Sequence, residues 1–164
     1  MEHLSKVFAG FPMQEKVAKM MLRLGVSVKE GKAYTGNIEL SDAAVGRAAG
    51  ADRRVARSAM DKISNDTVLS KIFGGLRPIA LLADAAAHIG CSTLIVVPTN
   101  ASTPGILADI AAVMLAAGVS IKQAVIDDPD GEDVHLLIVI EGTLPPEFIP
   151  SLKQCRGVDS IILR

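Results

Sequence analysis

Tryptophan is absent from this sequence, and aromatic residues of every kind are scarce. One Tyr and four Phe make up 3% of the 164 residues. Proteins that bind single-stranded nucleic acid commonly stack its bases on aromatic side chains, so this composition argues against that mode of binding. Hydrophobic residues still account for 49% of the chain, which predicts a buried core built from Ala, Val, Ile and Leu.

Residue patterns that bind metals or carry out catalysis are also missing. The two cysteines, Cys91 and Cys155, lack a CxxC spacing, and the three histidines lie far apart at positions 3, 88 and 135. These features predict reduced cysteines in a cytoplasmic protein, with no metal and no other cofactor. No Ser-His-Asp set, paired carboxylates, phosphate-binding loop or dinucleotide fingerprint occurs, so we expect a protein that is not an enzyme. The acidic stretch DDPDGED at 127–133 lacks the spacing of a calcium loop and predicts a hairpin turn.

No stretch of the sequence is long and apolar enough to cross a bilayer. A spanning helix needs roughly 20 predominantly apolar residues, and the best candidate, residues 79–98, is interrupted by Asp84, His88 and Ser92. The first residues, MEHLSKVFAGF, lack the basic and then apolar order of a signal peptide. We therefore expect no membrane partner.

Charge is distributed unevenly along the chain, although the net charge is only −1. Residues 1–77 hold thirteen Lys and Arg against eight Asp and Glu, whereas residues 78–164 hold four against ten. Such an asymmetry is typical of chains in which one half meets a polyanion. The alternative is that two unrelated domains simply differ in composition.

Glycines and a proline in the segment GGLRP, residues 74–78, mark a domain boundary. We predict a basic helical domain over residues 1–77, a connecting helix over residues 78–91 and a second domain over residues 92–164. In this second domain, strands and helices alternate in the order βαββαβ, which is the ferredoxin-like plan. The fold class is therefore α+β. A sheet of this plan has an open face and open edges, which we expect a homodimer or the first domain to cover.

The stretch SDAAVGRAAGADRRVARSAMDKI, residues 41–63, has the pattern of a helix-turn-helix. Ser41 and Asp52 are typical N-cap residues. Gly50 is placed to end a first helix of residues 42–49. Gly46 lies where two closely packed helices require a small side chain.

The second helix of this motif carries arginines near its N-terminus. Its apolar residues Val55, Ala59 and Ile63 recur at every fourth position and are predicted to face inward, although Ala56 occupies the usual inward position one residue after Val55. A recognition helix contacts base edges and phosphates with its N-terminal end in the major groove, so we predict binding to double-stranded DNA. The alternative is a basic, solvent-facing helix of a small bundle. The arginines predicted to point outward and contact DNA are Arg53, Arg54 and Arg57.

The segment DTVLSKIFGGLR that follows, residues 66–77, has two interpretations. It forms either a strand and turn beside the motif, or a plain connector between domains. In the first case, this small wing carries Lys71 and Arg77 to the DNA backbone.

Pro104 and Gly105 begin the first helix of the second domain, after a strand and a polar loop. The amides at a helix start have no partner within the helix, and together with the helix dipole they favour an anion such as a carboxylate. A turn that only closes the fold explains these two residues equally well. In the loop, Asn100, Ser102 and Thr103 offer groups for an ammonium or a hydroxyl.

Residues 92–164 resemble an ACT domain, a small-molecule regulatory module, through the strand, PGIL, the amphipathic helix and GVSI in this order. ACT domains typically bind amino acids where the loop after the first strand meets a neighbouring subunit. The ligand-binding residues that the resemblance implies are Asn100, Thr103, Gly105, Ile106, Leu107, Ser120 and Ile121.

The whole chain resembles an archaeal family of predicted regulators of amino-acid metabolism, and the stretch NIELSDAAVGRAAGADRRVARSAMDKI carries most of that similarity. The leucine-responsive regulator family has a comparable two-domain plan but a different helix-turn-helix sequence. The resemblance implies a dimeric, amino-acid-responsive regulator that binds DNA. Two alternatives are a regulatory subunit that docks on an amino-acid metabolic enzyme without binding DNA, and an enzyme on a ferredoxin-like fold.

Overall fold

A computed structural model describes residues 2–127 and 134–164 of the chain. The chain divides into two compact units, Met1–Ala80 and Leu81–Arg164. The hairpin turn predicted at residues 127–133 lies, beyond Asp127, outside the described residues. Within the described ranges, no helix is long and apolar enough to cross a membrane.

The first unit consists of helices packed around one core and a small antiparallel sheet. The strands are ordered β1-β2-β3, and the largest fully buried side chains of the core are Phe8, Met21, Met60, Ile63 and Phe73. In chain order, the elements are α1 (Glu2–Val7), α2 (Pro12–Arg23), β1 (Ser27–Lys29), β2 (Lys32–Thr35), β3 (Ile38–Leu40), α3 (Asp42–Ala49), α4 (Arg53–Asn65) and α5 (Thr67–Gly75).

Helix α3 begins and ends, and helix α4 begins, where the sequence predicts. Ser41 Oγ accepts a hydrogen bond from Ala44 N at 3.2 Å, and Asp52 Oδ1 accepts one from Arg54 N at 2.8 Å. Each side chain thus satisfies an amide that has no partner within its own helix. Gly50 follows α3 with a φ of 65°, a left-handed conformation that ends the helix and directs the chain into α4.

The two helices approach each other most closely at Gly46. A Cβ atom here would lie 2.8 Å from the carbonyl oxygen of Ala51 and 3.2 Å from Arg53 N. Both atoms belong to the backbone of the turn, so they cannot move away without shifting α4. The packing of α3 on α4 therefore requires glycine at this position.

We expect Gly46→Ala to lower the free energy of unfolding by about 1–3 kcal/mol, the usual cost of overpacking a dense site. Gly74→Ala is the matched control, because a Cβ at this position of α5 meets nothing within 4 Å. Alanine in a helix is favoured over glycine by up to about 1 kcal/mol, so the control should be neutral or stabilising. Urea unfolding followed by circular dichroism measures both. Equal effects of the two substitutions would contradict the tight contact.

The face of helix α4 that packs into the core differs slightly from the one that the sequence predicts. Ala56, Ala59, Met60 and Ile63 are fully buried, whereas Val55 is only half-buried. The buried positions follow the spacing i, i+3, i+4 and i+7 of an amphipathic helix. Val55 still packs against this core, but the fully inward position is the one that Ala56 occupies, one residue later.

Residues after α4 form a helix that packs into the core, so residues 66–77 are neither the strand and turn of the first interpretation nor the plain connector of the second. Asp66 Oδ1 caps α5 by accepting hydrogen bonds from Val68 N at 3.0 Å and Leu69 N at 2.8 Å. Leu69 and Phe73 are buried one helical turn apart in the core of the first unit. The cap and this apolar spacing stabilise a helix rather than a strand.

The second unit is an antiparallel sheet of four strands in the order β5-β6-β4-β7. Leu94, Val96, Ile138 and Ile140 form a core with the helices on one face of this sheet. The order βαββαβ agrees with the prediction. In chain order, the elements are a 3-10 helix (Ala86–Ile89), β4 (Cys91–Pro98), α6 (Ile106–Ala116), β5 (Ile121–Asp127), β6 (His135–Glu141), a 3-10 helix (Pro146–Phe148), α7 (Ile149–Lys153) and β7 (Val158–Leu163).

The structure corrects the connecting helix predicted over residues 78–91. Only the short 3-10 helix Ala86–Ile89 forms there. Strand residues hold the preceding backbone: Thr93 Oγ1 donates to Ala83 O at 2.6 Å, and Gln123 Oε1 accepts from Leu82 N at 2.9 Å. These bonds replace the hydrogen bonds of a helix, and the segment covers part of the second face of the sheet.

Candidate functional site

The start of α4 presents two cations that have no partner within the described ranges. Arg53 and Arg54 are its first two residues; both are exposed, and their side chains form neither a hydrogen bond nor an ion pair with any described residue. They lie at the positive end of the helix dipole. The capping carboxylate of Asp52 adjoins them and bonds to Arg54 N, so among the described residues this end of α4 holds two unpaired guanidinium groups against one carboxylate and favours an anion.

Arg57, the third arginine predicted to bind DNA, is held differently. Its Nε lies 3.3 Å from a carboxylate oxygen of Asp61, and its Nη1 lies 3.9 Å from Asp42 Oδ2. The side chain is 49% exposed, so solvent weakens both pairs. Arg57 nevertheless has two carboxylates beside it, whereas Arg53 and Arg54 are not paired with any carboxylate that the structure describes.

The turn between β1 and β2 packs beside Arg57 on α4, a feature absent from the sequence analysis. Gly31 N donates to Ser64 Oγ at 2.9 Å, and a Cβ on Gly31 would lie 2.8 Å from Asp61 Oδ1. Lys32, just after this turn, pairs with Glu39 at 3.0 Å. This pairing raises the pKa of Lys32. The hairpin thus buttresses the middle of α4 and leaves its first turn open.

The second unit contains an apolar cavity of about 590 Å³ between the start of α6 and the sheet. Pockets for small molecules commonly measure roughly 300–1,000 Å³. Val96, Leu136, Ala124 and Ile126 line it from the strands. Four residues implied by the ACT resemblance also line it: Thr103, Gly105, Ile106 and Leu107.

The remaining three implied ligand residues do not line this cavity. Asn100 Oδ1 accepts a hydrogen bond from Ser102 N at 2.9 Å and so shapes the loop before α6. Ser120 and Ile121 lie where β5 begins, beyond Ala124, the cavity residue nearest to them on this strand. Because a strand rises about 3.3 Å per residue, Ile121 lies ~10 Å from Ala124. Within one copy of the chain, these two residues are therefore too far away to line the cavity.

Backbone amides at the start of α6 face this region without a side-chain cap. Gly105 is the N-cap residue, with a φ of 95°, and no described side chain bonds to the first amides. The first hydrogen bond of the helix runs from Asp109 N to Gly105 O at 3.0 Å. The amides before Asp109 are therefore available to an anion.

Arg156 lies against this helix start and is the functional candidate that the sequence analysis missed. A Cβ on Gly105 would lie 3.2 Å from Arg156 Nη1. Arg156 Nε donates to Asp109 Oδ2 at 2.6 Å, and this hydrogen bond lowers the pKa of Asp109. Arg156 follows Gly105 by some fifty positions and forms no motif with it. The only hint in the sequence is that Arg156 is one of just four Lys and Arg residues in the second half of the chain.

This ion pair makes the stability of the second unit depend on pH. Folding lowers the pKa of Asp109 below its ordinary value of 3.8. The ion pair therefore stabilises the folded unit fully above pH 3.8, and this stabilisation is lost as the pH falls through the pKa that Asp109 has in the folded state. We expect Asp109→Asn to reduce the urea midpoint of unfolding at neutral pH and to change it little near pH 2. A reduction of the same size at both pH values would show that the charge of Asp109 is irrelevant.

No protein-family model matches the chain, and no curated protein matches it. Among solved structures, an AsnC family transcriptional regulator from Agrobacterium tumefaciens aligns with 93% of this chain and 86% of its own, at 12% identity and a TM-score of 0.31. A transcriptional regulator from Neisseria meningitidis, solved as a complex with L-Met, aligns with 91% of this chain and 86% of its own, at 14% identity and a TM-score of 0.29. At these TM-scores, the similarities assign neither a fold nor a function to the chain.

Proposed function

We propose that the protein is an amino-acid-responsive regulator whose first unit binds double-stranded DNA and whose second unit binds the amino acid. The observation that carries the proposal is the exposed pair Arg53 and Arg54 at the start of α4, with no partner among the described residues. Arginine forms paired hydrogen bonds with guanine in the major groove and with phosphate. A helix that presents this end to DNA is the arrangement of a helix-turn-helix.

The cavity of the second unit supports an amino acid with an apolar side chain as the ligand. Thr103 and His135 are the only polar side chains among the described residues that line it. A charged ligand side chain would be buried there without a partner, which is costly. The amides at the start of α6 provide for the carboxylate. Arg156 lies beside Gly105 but is paired with Asp109, so its role is to hold this helix start in place.

We further propose that the protein acts as a homodimer. Two copies of α4 would then contact two half-sites of an operator, as in other dimeric helix-turn-helix proteins. Ile162 and Leu163 on β7 are 45% and 42% exposed, and a second copy would bury such residues. Ser120 and Ile121 take part in ligand binding only if this second copy brings them to the cavity.

Salt dependence of duplex binding tests the DNA part of the proposal. We expect the full chain to bind a mixed-sequence duplex at low salt, with an affinity that falls steeply and linearly in log–log form as salt rises, because phosphate contacts release counterions. Fluorescence anisotropy of a labelled duplex measures this. No binding at low salt would overturn the proposal and favour the alternative, a regulatory subunit that docks on an enzyme.

A further inference from the structure

A basic groove of about 520 Å³ lies between α2 and the end of α3, outside the surface of α4 described above. Lys16, Lys19 and Arg23 line it from α2, Ala48 and Ala49 line it from α3, and Gly50 lines it from the turn after α3. The three cations are spaced i, i+3 and i+7, so they follow one face of the helix. The DNA contact proposed for α4 does not involve these three cations.

Acidic side chains neutralise only part of this charge. The carboxylate of Glu15, which also lines the groove, pairs with Lys19 Nζ at 2.9 Å and accepts a hydrogen bond from Ser5 Oγ at 2.7 Å. These partners lower the pKa of Glu15. Lys16 and Arg23 are exposed and form no ion pair within residues 2–127 and 134–164. The groove therefore carries two cations that no described carboxylate offsets.

The groove adjoins the turn that leads into α4. Lys16 Nζ lies 3.5 Å from the position that a Cβ on Gly50 would take. Gly50 precedes Arg53 by three residues, which limits the separation of their Cα atoms to about 11 Å. The major groove of DNA is roughly 12 Å wide. If the first turn of α4 enters that groove, Lys16 is therefore within reach of its phosphate edge, and Lys19 and Arg23 continue the same positive face along α2.

We propose that this α2 groove binds phosphate groups of the duplex whose major groove α4 enters. The inference rests on the proposed DNA binding and adds a second, sequence-independent contact. Lysine and arginine bind phosphate as cations and hydrogen-bond donors and do not read the bases. The same chemistry also suits free inorganic phosphate, so the experiment separates the two sources.

The test compares the full-length protein with the double variant Lys16→Ala/Arg23→Ala. Each lost phosphate contact reduces the slope of log affinity against log salt by about 1. We expect the double variant to lower this slope by about 2 on each of two duplexes of unrelated sequence. Lys122→Ala/Lys153→Ala is the control, because it also removes two exposed cations, here from the second unit. We expect this control to keep the wild-type slope.

Three results would overturn the inference, and they are distinguishable. An unchanged slope in the groove variant, with wild-type binding intact, removes the groove contact and leaves the proposed function standing. No duplex binding by the wild-type protein removes both. If the groove variant keeps the wild-type slope but no longer binds inorganic phosphate, the groove is a site for free phosphate instead. Phosphorus NMR measures this phosphate binding. Circular dichroism of each variant establishes that it is folded.

Discussion

Replacing both Arg53 and Arg54 with alanine is expected to weaken duplex binding by about 30-fold or more at low salt. Each arginine that contacts a base contributes roughly 1–3 kcal/mol, and both side chains lack a partner among the described residues. The substitutions remove no hydrogen bond or ion pair of these side chains with a described residue, so the stability of the first unit should be almost unchanged. Anisotropy with a labelled duplex measures the affinity.

Arg57→Ala is the matched control on the same helix. Its guanidinium already pairs with Asp61 and Asp42, so we expect the affinity to fall less than about fivefold, since a paired cation releases little counterion. A loss equal to that of the double variant would mean that Arg57 leaves its carboxylates to contact DNA. The assignment of binding to the first turn of α4 would then be wrong.

Ala124→Leu is expected to abolish the stabilisation of the protein by its amino-acid ligand. Ala124 is exposed on β5 and lines the cavity, so a larger apolar side chain occupies ligand space without disturbing the core. A ligand present at 100 times its dissociation constant stabilises the native state by about 2.7 kcal/mol. We expect wild-type protein to show this in a thermal-shift screen of the twenty amino acids, with the response limited to apolar side chains.

Ala116→Leu provides the control for this substitution. Ala116 is exposed on α6 and does not line the cavity, so the variant should respond to ligand like the wild-type protein. A flat wild-type response to all twenty amino acids would exclude the sensor hypothesis. A normal response in Ala124→Leu would place the ligand elsewhere.

Local chemistry made part of the first unit predictable. The caps Ser41 and Asp52, the left-handed Gly50 and the small Gly46 act within a few residues of their own positions. Their effects can therefore be recognised from neighbouring sequence alone. The order βαββαβ was predictable for a similar reason, because apolar periodicity distinguishes strands from helices.

Features that depend on distant contacts were not predictable. The Ala-rich segment after residue 78 has a helical spacing, but Thr93 on β4 and Gln123 on β5 form hydrogen bonds with its backbone and hold it in another conformation. The hairpin of β1 and β2 contains Glu30 at a φ of 52°, which is uncommon for a residue other than glycine. Arg156 reaches the start of α6 only because the turn after α7 folds back onto it.

Duplex affinity measured with and without a saturating apolar amino acid tests the central claim most directly. Coupling between two sites typically changes affinity by about 5- to 150-fold, and we expect a change within this range, since the proposed ligand and the duplex act on one regulator. Thermal shift in the same samples establishes that the amino acid is bound. An unchanged duplex affinity while the ligand site is saturated would contradict the claim.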